Sequence, residues 1–146
     1  MDFSNLKKLD VDAKKTVRHT LYDLEEDPVL ILSPANEANK PYFNAMLKRT
    51  RRNQQRYASG KWTVDLVKEN RDNDRKLYSQ FVVRGWEGVV NSEGQEVEAT
   101  PENVLAFLTA LPDWIFDGVR GVAADNQSFI DLDVDIEDTA GNLQEG

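Results

Sequence analysis

There is no cysteine among the 146 residues of this chain, which excludes disulfide staples, thiolate zinc sites, iron–sulfur clusters and a cysteine nucleophile. Histidine is almost as scarce. His19 stands alone, so no paired-histidine metal motif exists; a Ser-His-Asp triad is not excluded by count, but no Gly-x-Ser-x-Gly elbow accompanies it, and His19 reads as a structural or surface residue. The glycines are scattered, and no phosphate-cradling loop or nucleotide fingerprint occurs. Long apolar runs are missing too. Nothing approaches the roughly 18 apolar residues of a membrane-spanning helix, and the opening MDFSNLKKLD has no basic segment followed by an apolar one. The expectation is a soluble intracellular product without membrane contact. No self-similarity at a fixed period appears, which disfavours a solenoid.

What is present fits one small domain. A length of 146 residues suffices to bury a core without disulfides or metal. Hydrophobic residues make up 40% and charged residues 30%, slightly below and slightly above a typical globular chain, so the expected core is modest. The net charge of −8 is unevenly placed. Residues 131–146 carry Asp131, Asp133, Asp135, Glu137, Asp138 and Glu145 with no Lys or Arg, whereas residues 40–56 carry Lys40, Lys48, Arg49, Arg51, Arg52 and Arg56 with no acid. The chain is a charge dipole along its sequence.

Residues 1–15 are polar apart from Leu6, Leu9 and Val11 and read as a loose leader. Alternation over 16–24 and the apolar run 29–32 predict two short strands. After the polar stretch between Pro34 and Pro41, Tyr42, Phe43, Met46 and Leu47 fall on one helical face, extended by the basic residues toward Tyr57 and ended by Ser59-Gly60. Thr63 predicts an N-cap, with Asp65 in the first turn facing the positive helix end. That helix is interrupted by the polar run 69–75, which reads as a solvated face or a break between two shorter helices. Gly85 marks the turn out of it, and residues 86–90, 91–94 and 95–99 read as strand, turn and strand. Thr100 caps the next helix with Pro101 at its first position, where a missing amide costs nothing; Val104, Leu105, Leu108 and Leu111 form its stripe. Pro112 forces a boundary before a helix over about 113–124. The predicted class is α+β: a mostly helical single domain over 16–130, with short β-hairpins near 16–33 and 86–99 and a flexible acidic tail over 131–146. Trp86 and Trp114 are expected in the core. Trp62, beside Gly60 and Lys61, is expected at the surface.

Residues 82–130 carry a resemblance of arrangement. A Trp-x-Gly-Val strand (Trp86, Gly88, Val89), a polar turn closing on Gly94, a Thr-Pro-Glu helix start (Thr100, Pro101, Glu102) and the Leu-Pro-Asp-Trp-Ile-Phe junction from Leu111 to Phe116 are similar to the small tail assembly chaperones of long-tailed bacteriophages. The resemblance implies a protein that is not an enzyme and that binds newly made tail proteins, the tape-measure and tail-tube proteins among them, until the tube polymerises. It also implies residence in the host cytoplasm. The residues before 82 match no family pattern, which leaves open a minor structural or connector protein retained in the virion.

No set of catalytic groups is apparent, and a small enzyme is the least favoured class. For calcium, an EF-hand loop needs Gly at its sixth position and an acid at its twelfth; counted from Asp131 these are Ile136 and Asn142, and counted from Asp133 they are Asp138 and Gln144. Neither register fits, so no metal or other cofactor is expected. The basic stretch is a poor nucleic-acid site, because the sequence pI is about 4.7 and only Tyr57 offers a nearby ring for base stacking. The expected function is protein–protein contact, through Lys48, Arg49, Arg51 and Arg52, through Trp62, and through Asp131, Asp133 and Asp135, with self-association by tail and basic helix a further expectation.

Overall fold

Leu30 and Leu32, two residues apart in β2 (Val29–Leu32), point to one face of the strand and are fully buried. That face meets the helices. β2 is the centre of a three-stranded antiparallel sheet ordered β1 (Val17–Thr20), β2, β3 (Val83–Glu87). Val17 pairs with Leu32 and Thr20 with Val29, while Leu30 faces Trp86 and Ile31 faces Gly85, with a register shift between Ile31 and Leu32. Arg18 on β1 reaches across the sheet to Glu87 on β3 in a two-bond ion pair. The computed structural model describes residues 1–58 and 62–130.

The helices follow their local signals. Asn39 caps α1 (Lys40–Arg52), its Oδ1 accepting from the Tyr42 amide at 3.3 Å. Its Nδ2 donates to the Phe81 carbonyl at 2.8 Å, which ties the start of α1 to the end of α3. A one-turn α2 (Gln54–Ala58) follows the Asn53 C-cap. Thr63 caps α3 (Val64–Phe81) by accepting from the Leu66 amide at 3.1 Å. Thr100 caps α4 (Pro101–Ala110), and Pro112 separates it from α5 (Asp113–Ala124). A 3-10 turn over Asn126–Phe129 buries Phe129. The residues 1–10 are exposed, and the leader is fastened to this turn by the Asp12 amide on the Phe129 carbonyl and by Lys15 Nζ on the Ile130 carbonyl, each at 3.0 Å.

The α+β class holds, with several differences in detail. The segment 69–75 is neither a break nor a solvated face: α3 is one continuous helix of 18 residues, and its polar middle attaches it to α5. Arg71 donates to Asp117 at 3.0 and 3.2 Å, and Arg120 bridges Asp117 at 3.1 Å and Asp74 at 2.9 Å. The hydrogen bonds from Arg71 and Arg120 hold the Asp117 carboxyl below its ordinary range. Gly85 does not mark a turn; it lies inside β3 opposite Ile31. The expected hairpin over 86–99 shrinks to a single Val90–Glu96 bridge closed around Asn91, whose Oδ1 accepts from the Glu93 and Gln95 amides. Exposed Gln95, Glu96 and Glu98 give that limb little to pack, while β3 gains buried apolar contact by pairing with β2. Gly88 is the glycine the fold requires: its φ is +78° and an added Cβ would sit 3.5 Å from Pro28 Cα.

Trp86 is partly buried, its ring edge-on to Phe107 at 5.4 Å and its Nε1 donating to the Val97 carbonyl at 2.7 Å. Trp114 is not a core residue. It is 63% exposed, because α5 turns Ile115, Phe116, Val119 and Ala123 inward and a step of about 100° per residue carries position 114 off that arc. Trp114→Ala is therefore expected to change unfolding free energy by about 0.5 kcal/mol or less, as at ordinary surface sites, measured by urea denaturation; a loss above about 2 kcal/mol would mean the ring is packed.

Candidate functional site

α1 is polar on its outer side and mixed on the side facing α3. Tyr42, Met46 and Arg49 lie at i, i+4 and i+7, and so share one face. With Trp62 and with Asn70 and Asp74 of α3, they line a cleft of about 430 Å³. Tyr42 forms its inner wall, edge-on to Tyr78 at 5.9 Å; burial, with the nearby Asp74 carboxylate, pushes its hydroxyl up to about 12. Burial also raises the Asp74 carboxyl, against the opposing pull of Arg120 and Arg49. Trp62 stands at the rim, 57% exposed.

The predicted contact residues divide into two groups. Lys48, Arg51 and Arg52 are exposed, and Arg51 and Arg52 border a second cleft formed with Gln54, Gln55 and Arg56. Arg49 differs: it is half-buried, and its Nε and Nη2 are buried with no hydrogen-bond partner among the described residues. Local charge is also less one-sided than the sequence suggests, because Arg56 binds Glu69 of α3 through two bonds of 2.6 Å. Basic residues at the end of α1 suit the negative end of the helix dipole. Asp131, Asp133 and Asp135 lie outside the described residues. The rim is extended by exposed Val64 and Val67 of α3, which sequence reasoning missed as contact residues, although two valines one turn apart beside an exposed Trp are a readable signal.

His19, opposite Leu30 on β1, has its pKa lowered by burial. Among the described residues no group of three or more acidic or histidine side chains is placed to hold a metal ion, and no helix is long and apolar enough to cross a membrane.

The comparison that bears on origin is with family models: the one described as YdaY prophage protein matches residues 37–142. The chain belongs to the YdaY prophage protein family. It is thus phage-derived, and the matched stretch begins just before α1, takes in the cleft between α1 and α3, and runs well into the acidic segment. Comparison with curated proteins and with solved structures gives no match.

Proposed function

We propose that this YdaY-family protein is a phage morphogenesis factor of the tail assembly chaperone kind, one that acts by contact and without catalysis. It binds unassembled tail-tube and tape-measure proteins in the host cytoplasm. The observation that supports this reading is the exposed, partly apolar face made by Trp62, Val64 and Val67 beside the Tyr42–Met46 cleft, flanked by Lys48, Arg51 and Arg52. Aromatic and arginine side chains around an apolar centre are the composition of binding hot spots. A face of this limited extent suits a client that must later be released.

The test is charge reversal on the outer side of α1, with half-buried Arg49 left in place. Lys48→Glu, Arg51→Glu and Arg52→Glu together should reduce co-purification with tail-tube and tape-measure proteins at least tenfold, since like charges set against an acidic surface cost several kcal/mol and about 1.4 kcal/mol is already tenfold. Unfolding free energy should stay within about 1 kcal/mol of the parent, because exposed charges contribute little. Unchanged co-purification would remove this face as the contact. A parent protein that binds neither client and is found in purified particles would replace the chaperone reading by a retained virion component.

A further inference from the structure

A continuous track of surface leads from the last described residue to the basic end of α1. Ile130 lines a cleft with Asn36, Glu37 and Asn126. The neighbouring cleft shares Asn36, Glu37 and Asn126 and adds Tyr42, Phe43 and Met46. The cleft at Trp62 shares Tyr42 and Met46 in turn and ends at Arg49. At that end two donors on one edge of the Arg49 guanidinium, Nε–H and Nη2–H, are buried and lack a partner among the described residues. Side by side, they form the fork that takes a carboxylate in two parallel bonds. Buried charged donors without an acceptor are costly. The nearby acids of α3 are already engaged, Asp74 with Arg120 at 2.9 Å and Glu69 with Arg56 at 2.6 Å.

The chain itself carries the missing chemistry. Directly after Ile130 come Asp131, Asp133 and Asp135 alternating with Leu132, Val134 and Ile136, and residues 131–146 hold no Lys or Arg. We propose that this C-terminal segment docks in the track of its own chain, its aliphatic side chains against Phe43, Tyr42 and Met46 and one of its carboxylates on the Arg49 fork. Reach does not limit this: residues 131–146 can span up to ~50 Å when extended, whereas nine residues of helix from Lys40 to Arg49 advance only ~14 Å. An extended alternating segment presents its aliphatics to one side and its acids to the other, which matches a track apolar along its length and cationic at its end. Tethering favours the same chain over a second copy, because a short linker sets an effective concentration in the millimolar range. Docked there, the segment covers the Tyr42–Met46 cleft until a competing partner displaces it. The proposal stands whether or not that partner is a tail protein.

The absence of cysteine makes the test direct. Thr139→Cys in the full chain gives a single attachment point for a nitroxide, and amide signals are followed in ¹⁵N-labelled protein. The expected result is selective broadening of the amides from Tyr42 to Arg49. It should fall to the level of the reduced, diamagnetic label in Arg49→Gln, and equally in the combined Asp131→Asn, Asp133→Asn and Asp135→Asn variant, which leaves the described core untouched. Broadening that is absent from α1, or that survives the three Asp→Asn changes, would overturn the proposal. A sample mixing unlabelled-spin ¹⁵N chains with spin-labelled ¹⁴N chains decides the occupant: equal broadening there would assign the track to the tail of a second copy and overturn docking within one chain.

Discussion

Replacing Phe116 with alanine is expected to destabilise the protein by about 3–5 kcal/mol, the range for removing a fully buried large aromatic. The side chain has no exposed surface and stands where three helices meet. Its ring is edge-on to Tyr78 of α3 at 5.5 Å, and Tyr78 is in turn edge-on to Tyr42 of α1. These contacts make an aromatic column through the helical layer, and such pairs add to what area burial supplies. The guanidinium carbons of Arg75 and Arg120 lie 4.8 and 5.9 Å from the ring centroid, so truncation also removes two cation–π contacts. Against a total stability of about 5–15 kcal/mol, the loss should appear in urea denaturation as a large drop in midpoint with an unchanged slope. Phe116→Leu should cost less, since it keeps most of the packing and loses only the ring electrostatics. A Phe116→Ala loss below about 1 kcal/mol would show that α5 can close over the gap, and that the column is not where stability resides.

The parts of the fold readable in the sequence are those whose chemistry is local. Thr63, and Thr100 followed by Pro101, act on amides within three residues, and their helices start where those signals put them. Pairing in the sheet depends on partners far apart in the chain. Nothing within 86–99 indicates that β3 prefers Leu30 and Leu32 of β2 to its own hairpin limb, because that preference comes from burial of the far strand. The polar run 69–75 misled for a related reason: alone, Arg71, Asp74 and Arg75 look like solvated charges, and their acceptors are supplied by α4 and α5. At the candidate site, exposure of Trp62, Lys48, Arg51 and Arg52 was readable from composition and helical phase. The different position of Arg49 was also encoded, seven residues after Tyr42 and so on the same face. A run of basic residues hides this when it is read as one patch.

Arg75 is the clearest case of a polar residue whose role is to hold helices together, and its removal carries the second large expected effect. It is 5% exposed. Its Nε donates to the Leu108 carbonyl at 2.8 Å and its Nη2 to the Leu111 carbonyl at 3.0 Å, two of the acceptors that the end of α4 leaves unsatisfied. The same Nη2 meets Asp113 in the first turn of α5 at 2.9 Å, and Nη1 meets Asp72 at 2.9 Å. One planar fork thus closes α4, opens α5 and lies over Phe116. Arg75→Met keeps much of the volume but supplies no donor; with two buried carbonyls orphaned at about 1–3 kcal/mol each, a loss of about 3–4 kcal/mol is expected. Arg75→Lys should recover only part of this, because a single ammonium group lacks the fixed fork that reaches both carbonyls. Asp113→Asn separates the two contributions: the Asp113 side chain is 53% exposed, and exposed ion pairs are worth about 0–1 kcal/mol, so this change should be nearly silent. Urea denaturation of the three variants distinguishes the accounts. If Asp113→Asn cost as much as Arg75→Met, the ion pair and not the capping of α4 would be what Arg75 provides.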